Sequence, residues 1–328
     1  MLLAATFVIV GIFFLIIGGE WVIRGAKVFC LKFGVSKLVI GLVVVSFGTS
    51  VPELAINLTG SFQGQVELCY GNIIGSNIAN LGLILGAAAL IRPLSIASIV
   101  VAREIPMLLM ASAAAVALGF DQFFSAEPVN VFSRGDAIVL LLLFMAFLYY
   151  TLMEVVNGRN APLNNEPASE SYQSEPIHII KAAVLMIIGF FLLAAGGKMT
   201  VTGAVDLARL FGISEALIGL TIVAFGTSLP ELVTSAIAVR QGEVHLAVGN
   251  VVGSNVFNLL FILGISSLIH PVPIPHGEAP ALVVMLLLTL CLWPLAFSDQ
   301  RKIVRWEGAV FIISYFIYIF WQSGIVSL

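Results

Sequence analysis

The chain reads as an all-α polytopic membrane protein, ten transmembrane helices built as two inverted-topology repeats of five. Three observations predict this. The 328 residues are 60% hydrophobic and only 10% charged, against about 25% charged in a soluble domain, so the side chains cannot cover a water-facing surface. The apolar runs are roughly 20 residues long without period-2 alternation, which favours helices over a barrel. Residue n also aligns with residue n+178 without a gap from Gly11–Ile91 to Gly189–Ile269, with 37 of 81 positions identical. Internal symmetry of this kind is characteristic of transporters. A net charge of −3 gives no sign of a nucleic-acid partner.

Apolar length places spans at 3–23, 38–61, 69–91, 95–119, 134–155, 178–197, 213–239, 246–269, 279–297 and 304–322. The first begins with no Lys or Arg before Arg24, unlike a signal peptide with its basic leading region, so it is expected to be retained. Most connections are short. The exception is a polar stretch at 157–177, rich in Asn, Glu, Ser and Pro, which divides a first repeat (1–156) from a second (178–328) and is expected to be cytoplasmic. Five spans per repeat means that the second copy enters the membrane upside down. Basic residues agree: with the N terminus outside, twelve Lys or Arg fall on the cytoplasmic side and only Arg134, Lys198 and Arg209 outside. Arg24, Lys27 and Lys37 become Thr202, Val205 and Glu215 in the second copy. Both termini are therefore expected outside, periplasmic if the membrane is a bacterial inner membrane. Cys30, Cys69 and Cys291 share no metal-ligand spacing and read as buried free thiols. His178, His245, His270 and His276 fall near span ends and read as interfacial.

The chemistry concentrates in Gly48-Thr49-Ser50-Val51-Pro52-Glu53 and its copy Gly226-Thr227-Ser228-Leu229-Pro230-Glu231. A carboxylate at membrane depth costs a few kcal/mol on insertion scales, and a proline inside a helix removes a backbone hydrogen bond. Ser46, Ser50, Glu53 and Asn57 form one helical stripe with Thr49 beside it; the second span set repeats it as Ala224, Ser228, Glu231 and Ser235, with Thr227. Pro52 and Pro230 free the carbonyls of Gly48 and Gly226. Carboxylates, hydroxyls and carbonyls are the ligands of hard cations such as Ca2+. The third and eighth spans add Asn72, Ser76, Asn77 and Asn80, matched by Asn250, Ser254, Asn255 and Asn258. Gly71/Gly75 and Gly249/Gly253 provide for close helix approach. Serines, threonines and Gly-x-x-x-Gly pairs by themselves are ordinary helix-packing devices; two symmetry-related acids are not. Glu20 and its counterpart Lys198 lie at expected span ends and read as interfacial side chains that snorkel.

The doubled pattern Gly-Thr-Ser-x-Pro-Glu with Gly-Asn-x-x-Gly-Ser-Asn-x-x-Asn resembles the alpha repeats of the cation/calcium exchanger superfamily, in particular its prokaryotic sodium/calcium exchangers. The resemblance covers both repeats. It implies a sodium/calcium exchanger-like fold, Ca2+ and Na+ as transported ions without a cofactor, and ion sites clustered at the centre. Its implied ligands are Glu53 and Glu231, the hydroxyls or carbonyls of Ser46, Thr49, Ser50, Ala224, Thr227 and Ser228, and Ser76, Asn80, Ser254 and Asn258. It also implies that the first and sixth spans slide across the core. Some members carry an aspartate where this chain has Asn80 or Asn258, so only two formal charges stand at this centre. One Ca2+ balances them and three Na+ leave one positive charge in excess. Alternative readings are a calcium/proton antiporter, since buried glutamates can carry protons, and a passive cation channel. An enzyme is disfavoured because no nucleophile–base pair or hydrolase metal spacing lies at membrane depth.

Overall fold

The structure, a computed structural model, describes residues 1–124, 129–158, 178–212, 224–294 and 302–322. It is built from helices α1 (Leu2–Phe33), α2 (Lys37–Thr49), α3 (Val51–Phe62), α4 (Val66–Ile91), α5 (Val100–Gly119), α6 (Arg134–Gly158), α7 (Ile179–Leu210), α8 (Leu229–Arg240), α9 (Val244–Ile269), α10 (Ala279–Leu290) and α11 (Arg305–Gln322). Among the described residues, six helices are long and apolar enough to cross a membrane alone, and α2 with α3 make a seventh span bent by 47°. Of the other expected spans, the seventh begins at residues outside those described, and α10 is 12 residues long. Most of the expected 157–177 linker also lies outside them.

The two repeats meet through reciprocal contacts. Helices α1 and α7, each 32 residues, pack antiparallel through small residues. A Cβ placed on Gly18 would lie 2.7 Å from the Gly189 carbonyl oxygen, and one on Gly196 would lie 2.7 Å from that of Gly11. Gly25 faces Ala182 and Met186, while its copy Gly203 faces Ala4 and Val8, their copies. The partners step by seven residues in opposite directions along the two helices, so backbone touches backbone at each step. Four two-residue strands follow the same rule: Leu94–Ser95 pairs antiparallel with Lys302–Ile303, and Val272–Pro273, the copy of the first, pairs with Val131–Phe132. Only an antiparallel two-fold relation between the repeats produces such exchanges. The inversion expected from the basic residues is thus present in the packing.

Two expectations change. The first and sixth spans do not stop near Gly19 and Gly197; α1 runs to Phe33 and α7 to Leu210. Arg24 and the polar residues after Lys198 end the purely apolar window without ending the helix. Glu20 and Lys198 therefore lie well inside their helices, Lys198 twelve residues before the end at Leu210. Of the cysteines, Cys30 and Cys69 are buried free thiols, but Cys291 is exposed on the protein surface.

Candidate functional site

The second span breaks at Ser50, whose backbone leaves the helical range at φ −85° and ψ 6°; Ser228 takes φ −86° and ψ 5°. New helices start immediately after both serines. Pro52 and Pro230 occupy the first turns of α3 and α8, where a missing N–H costs nothing. The proline thus marks a helix start and not an interior fault, which removes one of the two costs expected from the sequence. Glu53 and Glu231 also lie in these first turns, where unpaired backbone N–H groups and the positive end of the helix dipole favour a negative charge. Broken helices of this kind, with their ends at mid-membrane, build ion sites in transporters.

Both carboxyls are 1% exposed. Ser50 donates its hydroxyl to Glu231 Oε1 at 3.1 Å, joining the two hexapeptides across the repeat boundary. Thr49 donates toward the Ser46 carbonyl and Asn250 Oδ1, both at 3.2 Å. Asn250 in turn donates to Ser235 Oγ at 3.0 Å. Ser76 and Thr227 hydroxyls lie 3.3 Å apart, linking α4 to the second hexapeptide. Ser46 donates to the Leu42 carbonyl at 2.5 Å. These bonds bring residues of both repeats into one buried polar layer. Ala224 lies in the short turn 224–226 before the second break, and only its backbone is described.

The layer is under-satisfied, and by oxygen. Glu53 Oε2, Glu231 Oε2, Asn80 Oδ1, Asn258 Oδ1, Ser228 Oγ and Ser254 Oγ are buried with no hydrogen-bond partner among the described residues. Asn57, Asn77 and Asn255 turn their amide N–H groups back to the carbonyls of Glu53, Ile73 and Val251, at 2.7, 2.7 and 3.0 Å. Their amide oxygens are left unpaired. Each such atom costs about 1–3 kcal/mol if nothing satisfies it. Carboxylate, amide and hydroxyl oxygens gathered together are what a hard cation requires. Among the described residues no group of three or more His, Cys, Asp or Glu could hold a metal ion, so such a ligand set would rest on two acids completed by neutral oxygens.

Helix irregularities hold these residues in place. Asn80–Ile84 and Phe257–Ile262 are π-helical, widened turns at equivalent places in α4 and α9, and such turns are frequent at functional sites. A Cβ on Gly249 would lie 2.6 Å from the Leu38 carbonyl oxygen, and one on Gly253 would overlap that of Leu42. The absent side chains let α9 reach α2 and bring Ser254 and Asn258 to the layer. The residues equivalent to Leu38 and Leu42 are outside those described. Thr234, fully buried with an unpaired hydroxyl, was not found from the sequence, because its copy in the first repeat is Ile56.

Among the described residues, the two-fold relation fails where α1 and α7 meet the core. Gly19 of α1 faces Val233 and Ile237 of α8, but Gly197 of α7 faces Gly226 and Pro230 rather than the equivalents Ala55 and Thr59. The α1–α7 pair is thus displaced along the core. A cavity of about 460 Å3 opens between α7, the start of α3 and the second hexapeptide, with Lys198, Thr202, Thr227, Pro52 and Ile56 in its wall. It lies toward the face carrying the N terminus, since Gly203 packs on Ala4. A cavity of about 520 Å3 near Ser46 and Gly48 is otherwise walled by apolar residues such as Phe144 and Phe190 and suits hydrocarbon. On the opposite face Glu243, 1% exposed at its side chain, binds Lys37 at 2.8 Å and Lys27 at 3.3 Å. Burial alone would raise the Glu243 carboxyl, but the hydrogen bonds and charges of Lys37 and Lys27 outweigh it and hold the group below its ordinary value.

An inverted pair of helical repeats with interrupted spans is an architecture of secondary transporters, and here it encloses a buried, oxygen-rich layer with two acids. The sodium/calcium exchanger protein family matches residues 3–153 and 181–324, and the chain belongs to that family. It is an integral membrane antiporter of Ca2+ against another cation. It is 34% identical over 333 residues to the inner membrane protein YrbG of Escherichia coli, covering 99% of each chain. It is 32% identical over 342 residues to the sodium/calcium exchanger MaX1 of Methanosarcina acetivorans, covering 94% of this chain and 95% of the relative. A solved structure of the sodium-calcium exchanger NCX_Mj, soaked with zero Na+ and Ca2+, superposes with a TM-score of 0.80 at 32% identity over 98% of this chain and 99% of that one.

Proposed function

We propose that the chain exchanges Ca2+ for Na+ by alternating access, with Glu53 and Glu231 as the central ligands. The observation that carries this reading is the pair of buried carboxyls, each with one oxygen lacking a hydrogen-bond partner, surrounded by unpaired amide and hydroxyl oxygens. Ser46, Thr49, Ser50, Ser76, Asn80, Ala224, Thr227, Ser228, Ser254 and Asn258 complete the proposed ligand set through hydroxyl, amide or backbone oxygens. Bound cargo neutralises the two acids and lowers the cost of burying them while the α1–α7 pair shifts. An empty centre with two negative charges resists that shift, which makes exchange obligatory. One Ca2+ balances the centre; three Na+ leave one positive charge, so exchange at that ratio is electrogenic. The N terminus, and with it the cavity of Lys198, is assigned to the outer side of an inner membrane by the basic residues on the opposite face. Residues 1–156 and 178–328 form the two repeats about a cytoplasmic 157–177 linker.

The test is 45Ca2+ uptake into proteoliposomes under an imposed sodium gradient. Uptake should be abolished by Glu53→Gln and by Glu231→Gln, and undiminished uptake in both variants would remove the assignment. The proton-coupled reading is separated in the same vesicles: uptake driven by a pH gradient without Na+ would replace Na+ by H+ as the counter-ion.

A further inference from the structure

Lys198 has no role in the polar layer, yet it stands at its entrance. It is interior to α7, and the residue before it, Gly197, faces Gly226 and Pro230 of the second hexapeptide. Its side chain lines the cavity that also contains Thr227, whose hydroxyl is 3.3 Å from Ser76. A charged side chain at this depth is costly unless it faces water or a partner. Among the described residues no hydrogen bond or ion pair to Lys198 is present; it is exposed and lines the cavity, which gives its ammonium access to water. The flanking pair Gly196-Gly197 is copied from Gly18-Gly19, but the next residue is Lys198 in one repeat and Glu20 in the other. The repeat therefore carries a cation on α7 at the cavity and an anion at the equivalent sequence position of α1.

Resting on the Ca2+-for-Na+ reading, we propose that Lys198 is a selectivity-determining residue that disfavours Ca2+ more than Na+ on the route from the N-terminal face. Coulomb energy scales with the charge of the ion, so whatever factor the ammonium imposes on Na+ is squared for Ca2+. Ca2+ arriving at the centre from that face is held more weakly and released more readily. Glu20, at the equivalent point on α1, does the reverse for the opposite face. The charge pair thereby gives the two faces unequal calcium affinities around one symmetric centre.

The experiment uses full-length protein in oriented proteoliposomes, with apparent affinities for Ca2+ and Na+ measured separately at each face. Lys198→Gln should tighten Ca2+ about fourfold and Na+ about twofold at the N-terminal face, on the order expected for one charge in a hydrated cavity, with the opposite face unchanged. Lys198→Arg should match wild type. Lys198→Cys, treated from that face with a cationic or an anionic thiosulfonate of similar size, changes the charge within one folded protein. The cationic adduct should restore wild-type affinity and the anionic adduct tighten Ca2+ further. Equal effects of the two adducts, equal effects on both ions, or equal effects at both faces would overturn the proposal. Wild-type protein without sodium-driven uptake in these vesicles would instead overturn the exchange reading, while 45Ca2+ binding to the adducts still reports the charge effect.

Discussion

Ser50 connects the two acids: its hydroxyl reaches Glu231 although its own repeat carries Glu53. Replacing it with alanine leaves Glu231 Oε1 without that donor, and a hydrogen bond to a charged group contributes about 1.5–3 kcal/mol. Ser50→Ala is expected to weaken apparent Ca2+ affinity by about tenfold or more in vesicle uptake while the protein stays folded. Asn258→Asp adds a third formal charge beside Glu53 and Glu231. It should tighten Ca2+ and slow its release, seen as a lower KM and a lower maximal rate of 45Ca2+ exchange. The hexapeptides stand out in the sequence because they repeat each other at five of six positions. Thr234 could not, since its copy Ile56 carries no polar signal. Nor could the direction of each amide: Asn57, Asn77 and Asn255 turn N–H to the carbonyls four residues before them, a choice that residue type alone does not make.

At the level of helices, the sequence marks breaks better than ends. Pro52 announced a lost hydrogen bond inside one continuous helix; the break at Ser50 and the new helix with Glu53 in its first turn required the backbone. The lengths of α1 and α7 were underestimated because an apolar window closes at Arg24, whereas small residues continue to meet beyond it, as at Gly25 and Gly203. Gly253→Val forces a branched side chain into the Leu42 backbone and separates α9 from α2. A loss of several kcal/mol is expected, by analogy with overpacked cores at about 1–3 kcal/mol where only side chains must yield; thermal unfolding in detergent measures it. Glu243 ties α1 to α2 and α9 through Lys27 and Lys37. Its folded-state carboxyl lies below the ordinary value of 4.5. The stabilisation is therefore complete above that value and is lost as pH falls through the lower, folded value. Glu243→Gln should remove this acid-sensitive step and raise the labelling of cysteines introduced near Lys27 at neutral pH.

For the whole molecule, inversion was legible twice, in the residue n to n+178 identity and in the sidedness of Lys and Arg, and the exchanged contacts carry it into three dimensions. The displacement of α1–α7 was not legible, because the repeat predicts equivalent contacts for Gly19 and Gly197 and the structure gives them different ones. If three Na+ replace one Ca2+, each turnover carries one net positive charge. Clamping the potential of proteoliposomes should then accelerate exchange at one polarity and slow it at the other, whereas charge-balanced exchange would leave the rate flat.

The seven-residue stepping between α1 and α7 has a mechanical consequence. Four places of backbone contact along helices about 48 Å long, at 1.5 Å per residue, make the pair a single bolt rather than two gates. If the pair slides across the core as proposed, a bolt of fixed length drawn back from one doorway is thrown across the other. The two sides of the membrane would then be kept from meeting by the stiffness of a bar whose notches are the glycines Gly11, Gly18, Gly189 and Gly196, with no signal passing between separate latches.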